Sequence, residues 1–473
     1  MAKVDSYDVV CIGGGIAGMV AAVRSAELGL KVAVLERGTE DAYACNSRYS
    51  GGVMHISYKD PALPKEELAR AIVEITENYA APDLVEAITE NCKRGLDWLQ
   101  QRGARFMRID PSMQRSDIGS RAWILAPVRP PVTQLEWKGR GADVTLRALE
   151  SALTKHGGKV FRGMAASSLI MENGVCKGVT ATHDGDTAFQ ARAVVICDGG
   201  FQGNTDMVRQ HISPAPTRLK QRGAGTGIGD GARMAKEAGA DITPLDGFYG
   251  HVLSLDAMKN DMLWPYPQLD LVAAAGILVN RTGRRIADEG LGGVFMANII
   301  AREQDPQEIC AIWDEAIWED SGRAAAVPPN PTLEKHGGTL HKCNTIAELA
   351  SVLDIDAQGL EATVKEYNAA VAAGTLGSLS PARSTKRRNA QVIAKAPFYG
   401  APACSGITYT MGGIRIDGQS HVLRPDRSPI QGLYAAGAST GGLEGGPCVG
   451  YVGGLMKGIV FGLLAAESIA GKH

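Results

Sequence analysis

The sequence has no paired-cysteine pattern. It carries nine cysteines, an odd number, with no Cys-x-x-Cys spacing and no Cys-x-x-Cys-His. That excludes a cysteine-held iron–sulfur cluster and a haem-attachment site, and no metal site is expected. Cys11, Cys197 and Cys310 sit in apolar stretches, where a thiol behaves as a small buried hydrophobe, so a reducing compartment fits. No excess of charge of one sign is present: 49 basic residues face 51 acidic ones, which leaves no field to recruit nucleic acid or an anionic membrane. The single basic run, Lys386-Arg387-Arg388, reads as a solvated loop. Met1 to Ser6 is polar and a strand-like run starts at Tyr7, so no signal peptide is expected and the chain is read as cytoplasmic. No uninterrupted apolar span exists either. Residues 453–470 come nearest, but Lys457 and Glu467 break them, so they predict a buried helix with its N-terminus aimed at a cofactor and no membrane span.

What is abundant is glycine: 58 of 473 residues, where average usage gives about 33. Many tight turns follow. The length suggests two or three domains, and 45% hydrophobic with 21% charged residues excludes disorder and fibrous repeats.

Residues 7–37 read as strand, glycine turn, helix, strand: Tyr7-Asp8-Val9-Val10-Cys11-Ile12, then GGGIAG over 13–18, a helical run to Leu28, and Lys31-Val32-Ala33-Val34-Leu35-Glu36. The turn fits GxGxxG at Gly13, Gly15 and Gly18, with Glu36 at the end of the second strand. The first glycine permits the tight turn, the second admits a pyrophosphate, the third lets helix and strand pack closely, and the helix N-terminus favours phosphate charge. Glu36 suits a ribose hydroxyl. These features imply an adenine dinucleotide, FAD or NAD. Two further buried strands end in glycines, at Cys197-Asp198-Gly199-Gly200 and at Ala435-Ala436-Gly437, which predicts one sheet assembled from distant segments. Residues 239–395 differ in character, with many prolines, Trp264, Trp313 and Trp318, and a helical patch over 359–373; they read as an inserted substrate domain.

Taken together, Gly13 to Gly18 with Glu36, the segment Asn46-Ser47-Arg48-Tyr49-Ser50-Gly51-Gly52, residues 195–204, 225–231 and 276–289, Thr410-Met411-Gly412-Gly413 and residues 432–442 resemble the flavoprotein family of fumarate reductases and succinate dehydrogenases, including soluble single-chain relatives. The resemblance runs over nearly the whole chain. It implies an α/β architecture: a Rossmann-type FAD-binding domain (1–238 and 396–473) with an inserted α+β capping domain (239–395). It also implies FAD rather than NAD. No histidine lies in Asn46-Ser47-Arg48-Tyr49, where covalent members carry the flavin bond, so the FAD is expected to be noncovalent. The cofactor is expected on Gly13, Gly15, Ile16, Ala17, Gly18, Glu36 and Arg37 in the first unit. Asn46, Ser47, Ser50, Gly51 and Gly52 follow it, then Asp198, Gly199, Gly200, Thr226, Gly227 and Asp230, and finally Gly412, Gly413, Gly437, Glu444 and Gly453. Ser50 to Gly52 and residues 225–231 supply donors and close backbone approach to a diphosphate.

Departures from the family's dicarboxylate site point to the chemistry. His251 falls where the family has its first substrate histidine. The arginine that serves as proton donor in fumarate reduction has no counterpart in Gly290-Leu291-Gly292-Gly293, Tyr409 replaces a histidine before Thr410, and Glu444-Gly445-Gly446-Pro447-Cys448-Val449-Gly450-Tyr451 replaces a His/Arg segment. Burying unpaired carboxylates costs several kcal/mol each, about, so the lost cations argue for a less charged substrate. Tyrosines can donate to a carbonyl or exchange a proton with the carbon beside it, which makes Tyr249, Tyr409 and Tyr451 candidates, as in the ketosteroid dehydrogenase branch that the chain is similar to. The expected activity is FAD-dependent desaturation or reduction of a CH–CH bond next to a carbonyl or carboxyl group. Tyr409 is expected to carry the proton while His251 and Tyr451 polarise the substrate. Two alternatives stand beside it: a tricarballylate- or fumarate-like polycarboxylate held by Arg284, Arg285, Arg302 or Arg48, and a flavin electron-transfer subunit without its own substrate. The expected partners are a small molecule with an activated C–C bond and a separate electron carrier, a quinone or oxygen.

Overall fold

The computed structural model describes residues 5–108, 123–127 and 135–472; the start of the polar Met1 to Ser6 stretch lies outside the described residues. Strand Asp5–Ile12 pairs in parallel with Val32–Glu36 on one side and Asp186–Ile196 on the other, and these with Lys159–Arg162 and Pro429–Ala435. Five parallel strands from the two ends and the middle of the chain thus share one sheet, as the repeated strand-then-glycine pattern predicts. The central strands, buried on both faces, read as continuous apolar runs such as Val32-Ala33-Val34-Leu35, whereas Lys159–Arg162 and Pro429–Ala435 are partly exposed. The N-terminal half of Asp186–Ile196 also pairs with Val175–Thr182 and so joins the antiparallel hairpin Ala165–Glu172 and Val175–Thr182 to the same sheet.

Helix Ile16–Glu27 is buried over most of its length because helix Gly454–Ile469 covers it. That second helix is the apolar segment near the C-terminus. Its Lys457 is buried against Glu444, and its Glu467 binds Arg24 and Arg94 at 2.8 Å each. Among the described residues, no helix is long and apolar enough to cross a membrane.

A second sheet is built around the 13-residue strand Phe398–Thr410, which pairs with Phe248–Ser254, Ile309–Asp314 and His341–Cys343 in antiparallel fashion and with Lys220–Gln221 in parallel; Ile277–Val279 extends it beyond Ile309–Asp314. It carries its own core, in which Trp313, Trp318 and Tyr399 pack ring on ring and helices Asp270–Ala275, Gly293–Arg302 and Ala357–Ala373 close the faces. The helix expected over 359–373 starts where the Asp356 side chain accepts from the amides of Gln358 and Gly359, and it stops at left-handed Gly374. Phe398–Thr410 joins this sheet although it follows residue 395, while Met234, Ala240 and Ile242 pack on the first core. The C-terminal ends of the parallel strands, at Ile12, Glu36, Ile196 and Ala435, face the second sheet across a cleft, the usual ligand position in such sheets.

Candidate active site

The cleft measures about 750 Å³. At one end the glycine turn closes against the neighbouring strand. Gly13 has φ +98°, and a Cβ there would lie 2.7 Å from the Cys197 carbonyl oxygen, so only glycine fits. A Cβ on Gly18 would lie 2.0 Å from the Gly13 carbonyl oxygen, which is the close packing inferred for the third glycine. Glu36 accepts from the amides of Gly14 (2.9 Å) and Gly38 (2.7 Å), and burial, opposed by these bonds, pushes its pKa up. Arg37 donates to the Asp230 carboxylate (3.1 Å) and to the Thr226 carbonyl (3.3 Å), joining two loops at the rim. Asn46 ties three segments together: its Oδ1 accepts from the Ala224 amide and its Nδ2 donates to the Thr408 carbonyl, both at 2.8 Å.

Of the expected cofactor residues, Gly13, Gly15, Ile16, Ala17, Glu36, Arg37, Asn46, Ser47, Ser50, Gly51, Gly52, Asp198, Gly199, Gly200, Thr226, Gly227, Asp230 and Gly437 line this cleft. Two helices begin on it, Ile16–Glu27 after Gly15 and Gly454–Ile469 after Gly453, and neither N-cap residue bonds its helix through a side chain. A diphosphate and a ring that gains negative charge on reduction suit two such helix starts. A dinucleotide therefore fits the residues present.

Other expected contacts take a different place. Gly18 sits behind the turn. Gly412 and Gly413 serve backbone crossings, where a Cβ would meet the carbonyl oxygens of Pro244 at 1.9 Å and Ser439 at 2.2 Å. Asp198 reaches the cleft but accepts from the Gly231 amide (2.7 Å) and Ser439 Oγ (3.2 Å); burial raises its pKa to about 6. Glu444 is fully buried, paired with Lys457 Nζ at 2.8 Å and accepting from the amides of Val452 and Gly453. It orders the turn before the last helix and lies away from the cofactor wall. Gly453 shares that turn.

The same carboxylate holds Tyr409, the residue expected to carry the proton. Its hydroxyl donates to both Glu444 oxygens, at 3.1 and 3.0 Å, and burial together with the Glu444 charge drives its pKa well up. Tyr409 lines the cleft, but its hydroxyl hydrogen is committed to Glu444.

A different chain of donors lines the cleft. Tyr249 and His251 lie two apart on strand Phe248–Ser254 and so share a face. His251 Nδ1 is 2.5 Å from Asp270 Oδ2, and Nε2 is 2.9 Å from the Tyr249 hydroxyl. The carboxylate can only accept, which places the hydrogen on Nδ1 and leaves Nε2 to accept from Tyr249. Tyr451 lies beside Tyr249 on the same cleft wall. The Tyr249 and Tyr451 rings stack with centroids 3.9 Å apart. Burial lowers the pKa of His251, with Asp270 pulling it up and Arg222 pushing it down, so the imidazole is neutral at rest. Burial holds Tyr249 and Tyr451 as phenols. The Val252 amide fixes the other Asp270 oxygen at 2.8 Å, and the side chain occupies the space a residue at Gly293 would need: a Cβ there would start 2.0 Å from Asp270 Cγ. The segment that lacks the family's arginine thus makes room for a carboxylate. Asp270 gave no sequence signal, nor did His55, a neutral imidazole on the cleft wall whose pKa burial lowers to about 4.

The expected replacement anchors do not reach the cleft. Arg48 is buried on Asp143, Arg284 is exposed, Arg285 pairs with Glu289 at 2.5 Å, and Arg302 donates to the Asp246 carbonyl at 3.0 Å. The basic run is not simply solvated: Arg387 lines the cleft and donates to the carbonyls of Leu291, Cys448 and Ile75, at 3.0, 3.4 and 2.5 Å. Arg222, which the sequence reading passed over, lines it too.

Comparison with known proteins agrees with this geometry. The profile of a family described as FAD binding domain matches residues 8–447. The chain is 28% identical to the NADH:acrylate oxidoreductase of Vibrio harveyi over 82% of its own length but spans only 37% of that protein. It is 26% identical to the fumarate reductase (cytochrome) of Shewanella frigidimarina over 98% of this chain and 77% of that one. Among solved structures it is similar in fold to the 3-ketosteroid-delta4-(5alpha)-dehydrogenase of Rhodococcus jostii, with TM-score 0.71, 22% identity, and 98% and 97% of the two chains covered.

Proposed function

This chain belongs to the FAD binding domain family, and from that premise we propose that it desaturates or reduces a CH–CH bond adjacent to a carbonyl or carboxyl group. Bound FAD supplies the hydride acceptor or donor. The observation that carries the reading is the hydrogen-bond chain on the cleft wall from Tyr249 through His251 to Asp270. Tyr249 exchanges the proton of the carbon beside the electron-withdrawing group. His251 Nε2 takes or returns the phenol hydrogen, and Asp270 compensates the imidazolium that forms. Tyr451 steadies the Tyr249 ring by stacking on it. Tyr409 acts through Glu444 as a positioning residue. Acrylate and fumarate, in the names of the relatives, share a C=C bond conjugated to a carboxyl group.

The cofactor site comprises the cleft-lining residues described above. Residues 239–395 act as the cap together with the central strand Phe398–Thr410, with which three of their strands pair. FAD is noncovalent: Cys45 lines the cleft, but burial raises its pKa to about 11 and keeps it a thiol. Acid-precipitated protein should release all its yellow colour to the supernatant, and a yellow pellet contradicts this. Electrons enter or leave through a separate carrier, a quinone or oxygen. The reading is tested by reducing the holoenzyme anaerobically and mixing it with enones, enoates and fumarate while following flavin reoxidation. Reoxidation by a conjugated C=C is expected; none by any member of the panel removes the reading and favours an electron-transfer subunit.

A further inference from the structure

We infer that Arg222 is the anion anchor of the substrate chamber and that the substrate is an α,β-unsaturated carboxylate, an inference that rests on the CH–CH chemistry proposed above. The side chain is built into place. Its stem crosses the long strand at Gly406, where a Cβ would start 2.5 Å from Arg222 Cδ, so the strand carries a glycine under the arginine. The guanidinium opens onto the cleft and meets only neutral acceptors: Nε donates to the Trp264 carbonyl (3.0 Å), Nη1 to Thr408 Oγ1 (2.8 Å), and Nη2, at the weak limit of 3.5 Å, to the Pro265 carbonyl. A guanidinium has five N–H groups in a planar fork, so two remain for a ligand.

No carboxylate among the described residues forms an ion pair with Arg222. Asp270, whose charge it feels, is spent on His251 and the Val252 amide. Burying a guanidinium without a counter-charge is costly, and burial lowers its pKa accordingly. A bound carboxylate supplies both the charge and the bidentate acceptor. Arg222, Tyr249 and His251 line the same cleft, so a carboxylate held by Arg222 lies in the chamber that the relay faces. Arg387 is the weaker candidate, because its terminal nitrogens are already bonded to three carbonyls.

Benzoate and benzamide test the anchor without redox chemistry, since neither has a CH–CH bond to react. Titrated calorimetrically into the oxidised holoenzyme, benzoate should bind roughly ten- to a hundredfold more tightly than benzamide. R222Q should abolish that preference at unchanged flavin content and melting temperature, and R222K should keep part of it. Benzoate that binds no better than benzamide, or R222Q with its preference intact, overturns the inference. If R222Q does not fold, R222K decides: a preference reduced several-fold supports the anchor and an unchanged one refutes it. Reduced holoenzyme reoxidised by cinnamaldehyde but not by cinnamate overturns the carboxylate class and leaves the CH–CH reading standing; reoxidation by neither those probes nor fumarate removes that reading instead.

Discussion

Replacing Asp270 by Asn tests the proton relay at its far end, away from substrate. The carboxylate holds His251 Nδ1 at 2.5 Å, and its charge raises the imidazole pKa against the lowering by burial and Arg222. Asn keeps the size and one acceptor but loses the charge. A hydrogen bond to a charged group is worth about 1.5–3 kcal/mol, so the imidazolium should be destabilised by that amount. In the reductive direction the imidazolium is the proton source. At pH 7, above its lowered pKa, reoxidation of reduced flavin by the best enoate or enone should slow about ten- to a hundredfold. The sign of the pH effect follows: His251 must be protonated, the variant protonates only at lower pH, so the alkaline limb of the rate profile moves to more acid pH and the rates converge there. Stopped-flow reoxidation across pH, with flavin content as control, reads both. A D270N enzyme at the full rate at pH 7, or with its limb moved to higher pH, refutes the relay.

Gly293→Ala places a Cβ 2.0 Å from Asp270 Cγ, so it should reproduce the D270N pH profile and cost about 1–3 kcal/mol of stability in a denaturant melt. Tyr409→Phe removes a hydroxyl that serves Glu444; turnover should stay within several-fold, with a melting loss of about 1–3 kcal/mol, and a collapse of turnover at unchanged stability would return the proton role to Tyr409. Glu444→Gln leaves Lys457 buried and unpaired and should cost about 3–5 kcal/mol. Burial works to raise the Glu444 pKa, but Lys457 and two backbone amides outweigh it and leave it lowered. The wild-type contribution is therefore full at neutral pH and lost as pH falls through that lowered pKa, and denaturant melts of the two proteins should converge in acid.

The dinucleotide half was legible because backbone geometry dictates residue type there: Gly13 must be glycine against Cys197, and Glu36 must be a carboxylate to take two amides. The same glycine count misleads at Gly412 and Gly413, whose missing side chains admit other backbone and not a ligand. The substrate half was legible only in its residue types. Tyr249, His251 and Tyr451 were in view, but the partner that orders them, Asp270, lies 19 residues beyond His251 on another element. Tyr409 could not be told from Tyr249 by position, since only packing shows that its hydroxyl turns to Glu444. Arg222 hides for the same reason: its meaning depends on Gly406, far along the chain, which the parallel pairing of Lys220 with Gly406 brings beside it.

The most direct measurement is the reoxidation of reduced Y249F holoenzyme by the enoate or enone that reoxidises wild type fastest. The Tyr249 hydroxyl is the link between the cleft and His251 Nε2, at 2.9 Å, so the rate should fall by about 10²–10⁴-fold, the range for losing a general acid, with flavin content unchanged. A variant that reoxidises at the wild-type rate would contradict the assignment of the proton to this chain of residues.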